Sequence, residues 1–311
     1  MNGAPQLQSV LHPAGIDAAI ISQFAWVLSG AAALILAAVM LLLALALRGG
    51  PRPVAPMRWI AGGGIVLPLV LLAALLIWST WRAAQLTAQS SAQKMTVSVT
   101  AKMWWWEVRY RNPATGLDVI TANEIHLPVG VPVYLGLSSG DVIHSFWVPS
   151  LSGKIDTVPG RMTGLTLTAT KAGLYRGQCA EFCGEQHARM GLHVVAESPE
   201  QFAAWLAHQQ QPAAMPADAL AVRGRQVFEQ QRCASCHGAG PSGQAPGDGP
   251  SLTHLGSRLY LGAGTVPLNS ATLEAWIANP HAIKPGVRMP AANDIDPASL
   301  RALAAYLAAL K

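Results

Sequence analysis

The chain has 311 residues, enough for two or three domains, and is 51% apolar with only 12% charged residues. That balance argues against an ordinary soluble domain and for a membrane protein. The formal charge of +5 is too modest to suggest nucleic-acid binding or a strongly acidic partner.

From Ala18 to Leu47 no charge interrupts the chain, and a second uncharged run fills Trp59 to Trp81 between Arg58 and Arg82. Each exceeds the ~20 residues needed to cross a hydrocarbon core. They predict a helical hairpin with spans at 20–47 and 59–81 inside an N-terminal unit of residues 1–94. The connector from Arg48 to Arg58 carries three arginines and no acid, so it is expected on the cytoplasmic side, with both termini outside. Trp59, Trp78 and Trp81 fit interfacial belts, and the absence of a basic leader argues for a retained first span rather than a cleaved signal. Pro68 is expected to kink the second helix, and Gly62-Gly63-Gly64 to allow close helix packing. Residues 83–93 read as a polar connector leaving the membrane.

Residues 95–208 change character. Alternation at Thr96–Ala101 predicts a half-buried strand, and further short strands are expected at 107–111, 124–127, 132–138, 144–148, 163–169, 173–176 and 193–195. Turn residues separate them, at Asn112-Pro113, Pro128-Val129-Gly130, Ser139-Gly140 and Pro159-Gly160, so a β-sandwich or Greek-key barrel is expected. Strand alternation would put Trp104 and Trp106 on one face and Trp105 on the other. His126 and His193 read as ordinary strand histidines, and a short helix is expected at 199–208.

Late in this region comes Cys179-Ala-Glu181-Phe-Cys183-Gly-Glu185-Gln186-His187-Ala-Arg-Met190. Two thiolates, an imidazole and a thioether in so short a stretch suit a soft metal. A Cys/His zinc site and a Cys179–Cys183 disulfide are the rival readings. Zinc would ordinarily be completed by a second Cys or His pair at such spacing, which nothing downstream supplies. A methionine three residues after the histidine serves copper better than zinc.

Residues 209–218 form a polar, proline-bearing stretch without periodicity, a linker. An amphipathic helix then leads into Cys233-Ala-Ser-Cys236-His237, the C-x-x-C-H signature of covalent haem c attachment: two thioethers and a proximal histidine. Residues 219–311 are therefore expected to form an all-α haem domain. Met289, before Pro290, is the favoured second axial ligand over His254 and His281, as in class I cytochromes c. The final helix, 296–310, should pack on the first near Val227 and Phe228. All four cysteines fall in the two cofactor motifs, which leaves none for a structural disulfide.

The sulfur-rich loop resembles the binuclear copper (CuA) loop of cytochrome c oxidase subunit II, C-x-E-x-C-x3-H-x2-M, at every ligand position. Asp141-Val-Ile-His144-Ser145-Phe146 and Lys154-Ile-Asp156-Thr-Val-Pro159-Gly160-Arg161 resemble that family too. The resemblance implies a cupredoxin-like domain in which Cys179 and Cys183 bridge two coppers. His144, His187 and Met190 would be side-chain ligands, and Glu181 would bind through its carbonyl. In that family the carboxylate at the Glu181 position also helps hold a magnesium ion at the interface with the catalytic subunit, and the first tryptophan of the aromatic run, here Trp104, is the electron entry point. The implied protein is the electron-entry subunit of a respiratory haem–copper oxidase in a bacterial inner membrane, with both cofactor domains on the periplasmic side. Its partners would be the oxygen-reducing, proton-translocating subunit I, other oxidase subunits and a cytochrome c donor. A nitric-oxide reductase component and a stand-alone membrane-tethered carrier are the alternatives. A quinol oxidase subunit would lack the copper ligands. One departure stands out: no acid occurs between Arg58 and Arg82, where many family members carry a glutamate associated with proton entry.

Overall fold

The computed structural model describes residues 8–50, 55–88, 95–111, 118–238 and 248–311. Part of the arginine connector and the Asn112-Pro113 turn lie outside the described residues. Helix α1 (Ile16–Arg48) and the helical run Pro56–Leu86 are each long and apolar enough to span a membrane, with mean hydropathies of 2.7 and 2.6. The second run begins with α2 (Pro56–Arg58), passes through a π-helical stretch at Trp59–Val66, and becomes α3 (Leu67–Ala88). Pro68 has no N–H to donate, and the altered helical pitch lies directly before it. Helix α3 continues to Ala88, so the expected connector from Ala83 is largely helical; Ala84, Gln85 and Leu86 are all good helix formers. Near the outer end of the hairpin, Arg82 bonds the Gln23 side chain and Phe24 meets Trp78 at 4.7 Å.

Residues just before α1 lie against the β-domain. Ala14 N–H donates to Ser150 O at 2.7 Å, and Thr170 N–H donates to Ala14 O at 2.7 Å. Gly15 is required there, since a Cβ would fall on the Leu151 carbonyl. This segment therefore sits on the same side as the β-domain, as two antiparallel spans demand.

The β-domain is a sandwich of two five-stranded sheets. One runs β3 (Asp118–Ala122), β2 (Trp105–Arg111), β1 (Met95–Lys102), β5 (Val133–Ser139), β8 (Thr163–Leu167). The other runs β4 (Glu124–Pro128), β10 (Gly191–Glu197), β9 (Gly173–Cys179), β6 (His144–Trp147), β7 (Ile155–Thr157). Pairs β1–β5 and β4–β10 are parallel, the others antiparallel. Alternation works as expected: Val97, Val99 and Ala101 of β1 are wholly buried against Leu135, Leu137 and Phe146. The tryptophan run does not alternate along one strand. Trp104 lies in the β1–β2 turn, which breaks the period, while Trp106 is fully buried and meets Phe146 edge-on at 5.6 Å.

Helix α4 (Pro199–Gln209), started by a Ser198–Gln201 capping box, closes the domain. Its Trp205 stacks on His126 at 4.0 Å. His126 is more than an ordinary strand residue, because it sits between Glu197 at 2.8 Å and Glu124 at 3.1 Å. Burial pulls its pKa down, but those two carboxylates outweigh burial and raise it above the usual 6.5.

In the C-terminal domain α5 (Ala219–Gln230) crosses α8 (Pro297–Ala309), with Phe228 edge-on to Tyr306 at 5.7 Å. Asp218 and Asp296 cap the two helices. The helices touch at Gly224, where a Cβ would land on the Ala302 carbonyl. Helices α6 (Ser270–Ala278) and α7 (Pro280–Ile283) complete the domain with the short ribbon β11–β12 (Tyr260–Leu261, Val266–Pro267). The linker lies against this domain: His254 Nε2 is 3.0 Å from Gln211 O, and Ala213 packs on the core.

Two outcomes are expected. Gly224→Ala should push α5 from α8 and cost about 1–3 kcal/mol, read as a lower denaturant midpoint for the C-terminal domain. His126 gives stability that is complete below pH 6.5 and lost as pH rises through its elevated folded-state value. The unfolding midpoint should therefore drop in alkaline buffer, and His126→Gln should flatten that dependence.

Candidate copper and haem sites

The sulfur-rich loop leaves the end of β9 and re-enters the sheet as β10. Its ends are clamped together, with Cys179 N–H donating to Met190 O at 2.9 Å, and Ala180 N–H ties it to Ser145 O of β6 at 2.9 Å. His144 opens β6 next door and is completely buried. Ligand atoms of His144, Cys179 and Cys183 all lie within 4.8 Å of one another. Cys179 Sγ is 3.9 Å from His144 Nδ1, 3.8 Å from Cys183 Sγ and 3.2 Å from Glu181 O. Cys183 Sγ is in turn 3.7 Å from His187 Nδ1 and 3.9 Å from Met190 Sδ.

The loop and β6 thus bring all six expected groups together, four of them around the two thiol sulfurs. The thiols are unbonded, and 3.8 Å is far beyond the ~2.05 Å of a disulfide. Two thiol sulfurs, two imidazole nitrogens, one thioether and one carbonyl fit a pair of coppers better than one tetrahedral zinc. His144 Nε2 is held by Asp141 Oδ1 at 2.8 Å, which keeps Nδ1 turned to the sulfurs. Asp141 also accepts from Met103 N–H at 2.7 Å. Hydrogen bonding from the Cys183 thiol, aided by His144, outweighs burial and lowers the Cys179 thiol to about 3. Cys183 is pushed upward by the same contact.

Trp104 adjoins this loop. Its indole N–H donates to Cys183 O at 2.8 Å, and the ring lies against Gly184, where a Cβ would come 3.2 Å from it. Gly184 has φ +108, a conformation only glycine adopts freely.

The haem motif follows α5 in a tight turn. His237 Nδ1 is 2.8 Å from Pro250 O, so Nδ1 carries the proton and Nε2 is free to ligate. Gly249 leaves room beside the ring, since a Cβ would come 2.7 Å from His237 Cε1. Cys233, Cys236, His237 and Met289 line one cavity of about 740 Å³, walled by apolar residues including Leu252, Ile277 and Leu303. Two thiols, an imidazole, a methionine sulfur and an apolar wall are all present, which fits a haem. Neither His254 nor His281 lines this cavity: His254 faces the linker, and His281 is exposed.

The same cavity is bordered by Trp104 and Trp105 of the β-domain, so it lies at the joint between domains. Three residues at this joint escaped sequence reasoning. Lys284 is 2% exposed and donates to Trp104 O at 2.7 Å, Arg189 O at 2.8 Å and Gly262 O at 3.2 Å. His193 stacks on Tyr260 at 4.1 Å, and burial lowers its pKa to about 4. Glu124 accepts Leu259 N–H at 3.0 Å. Only the position of Lys284 in the Lys-Pro-Gly turn before Met289 offered a hint, and nothing in the sequence signalled its burial.

Comparison with known families agrees with both halves. The family of the cytochrome c oxidase subunit II periplasmic domain matches residues 95–198, and the cytochrome c family matches 221–311. Cytochrome c oxidase subunit 2 of Alkalihalophilus pseudofirmus is 38% identical over 248 residues, covering 79% of this chain and 70% of the relative. That of Bacillus subtilis is 32% identical over 264 residues, covering 79% and 73%. Among solved structures, the periplasmic domain of subunit II of cytochrome oxidase from Bradyrhizobium japonicum aligns with TM-score 0.36 and 28% identity, over 38% of this chain and 95% of its own.

Asp141→Ala should release His144 from its fixed orientation and lower copper affinity about 10–100-fold, measured by competition against a copper chelator.

Proposed function

The chain belongs to the cytochrome c oxidase subunit II family, and from that premise we propose that it is the electron-entry subunit of a respiratory haem–copper oxidase with its own tethered cytochrome. When bound, the two cofactors supply one-electron centres that link a cytochrome c donor to the partner subunit, where oxygen becomes water and protons are translocated. The observation that carries the reading is the convergence of Cys179, Cys183, His144, His187, Met190 and the Glu181 carbonyl on one small volume.

In this reading Cys179, Cys183, His144, His187, Met190 and the Glu181 carbonyl would hold the copper pair, which would supply a one-electron centre. Rigid closure of the loop by Cys179 N–H and Met190 O keeps the ligands in place whatever the charge on the metals. Cys233 and Cys236 would attach the haem, and His237, held by Pro250 O, and Met289 would ligate its iron. Trp104 is the electron entry to the copper loop, supported by its bond to the Cys183 carbonyl. The Glu181 carboxylate would share a magnesium ion with the catalytic subunit. Two apolar helices anchor the chain in the bacterial inner membrane, and the arginine-rich connector favours the periplasmic side for both cofactor domains.

The test is purification with the membrane partners, followed by copper and haem counting and oxygen uptake with reduced cytochrome c. Cys183→Ser should remove the near-infrared copper band and oxygen uptake while leaving the haem spectrum intact. An unchanged copper band, or a single zinc in the native protein, would overturn the reading.

A further inference from the structure

The joint between the two domains is built around one buried lysine, whose pKa burial lowers to about 7. An ammonium has three N–H donors and is costly to bury unless all are satisfied. Lys284 meets that demand with three carbonyls from three places: Trp104 in the β1–β2 turn, Arg189 in the copper loop, and Gly262 in its own domain. The grip is reciprocal, because the Arg189 guanidinium donates back to the Ile283 carbonyl. Two residues on, Gly286 lies so close to Glu185 that a Cβ would run into that carboxylate. The segment Ile283–Gly286 therefore rests on the copper loop and leads directly into Met289. Trp104 completes the chain of bonds: its carbonyl is held by Lys284 and its indole N–H holds Cys183 O.

We propose that Lys284 is a positioning residue that locks the haem domain onto the copper loop, so that the Met289 side of its cavity stays against Trp104. This rests on the reading of the two sites as redox centres. The step it governs moves one electron from reduced haem iron to the oxidised copper pair, and no bond or proton changes at Lys284. Other interdomain bonds among the described residues include Leu259 N–H to Glu124, Gly191 N–H to Ala263 O at 3.0 Å and Arg176 to Gly264 O at 3.3 Å. Each of these joins one atom of one domain to one of the other. Lys284 ties together the turn, the copper loop and the ribbon of the haem domain.

Lys284→Met is one atom shorter, stays unbranched and removes all three donors. In the intact complex, with the haem photoreduced by an external ruthenium donor, we expect the haem-to-copper rate to fall roughly tenfold, as a docked fraction near one in ten requires. The remaining rate should become dependent on viscosity, because re-docking would then gate it. Hydrogen exchange should accelerate at the Leu259 and Gly191 amides while α5 and α8 stay protected. Both optical spectra should be unchanged. Unaltered rate and exchange would overturn the proposal, as would a shifted copper or haem spectrum, which would place Lys284 inside a cofactor site instead. If Lys284→Met does not load copper, hydrogen exchange of the copper-free variant against the copper-free parent decides: faster exchange at Leu259 and Gly191 is expected, and no change overturns the proposal. Absence of any haem-to-copper transfer in the unmodified complex would refute the functional reading itself, a different result from an ineffective substitution.

Discussion

A cluster of soft ligands has to be assembled by the protein before any metal can use it, and two neighbouring thiols left to themselves oxidise. The backbone bond from Cys179 N–H to Met190 O closes the loop that carries them, and their sulfurs stand 3.8 Å apart as free thiols. It pins both ends of the loop into adjacent strands, so the intervening residues must bulge and hold their side chains apart. Gly184, in the left-handed region, allows the chain to reverse within that bulge. Sheet pairing does the rest, as β6 lies beside β9 and delivers His144 across from the loop. The sandwich core exists largely to hold these few atoms still.

What leaves the copper loop is also fixed by the backbone. Trp104 sits in a turn rather than a strand, which frees its ring to lie over Gly184 and its carbonyl to face the second domain. A tryptophan inside β2 could not meet both demands, as Trp106 illustrates by disappearing wholly into the core. The two neighbours in sequence thus have opposite tasks, one structural and one at the joint between cofactor domains.

The readable parts of this protein were those where chemistry dictates short spacing. The sulfur-rich loop, C-x-x-C-H and the two uncharged runs declare themselves, the alternation of β1 follows from period alone, and the crossing of the first and last haem-domain helices follows from the resemblance to cytochromes c. Strands β3 and β7 were not legible, because Asp118–Ala122 and Ile155–Thr157 are short and lack a clear alternating pattern. The end of α3 was misjudged because small, polar residues suit a helix as well as a connector. His126, His193 and Lys284 were invisible for a different reason. Their roles come from partners far away in the chain, Glu197, Tyr260 and Trp104, and no local pattern reports such meetings.

The tether explains why the joint can be built so sparingly. A flexible linker of ten residues would span roughly 18 Å by random-coil statistics and hold its domain at millimolar effective concentration. Here it is shorter still in effect, since Gln211 and Ala213 already lie on the haem domain. Translational freedom is therefore largely lost in advance, and the interface needs only to fix orientation. Hydrogen bonds with strict direction do that better than an apolar patch, which would tolerate sliding. A buried ammonium aimed at three carbonyls is the most demanding of such devices. A shift of one ångström would leave it partly unsatisfied and so cost more than the shift could gain. Covalent attachment supplies proximity, and the lysine supplies aim.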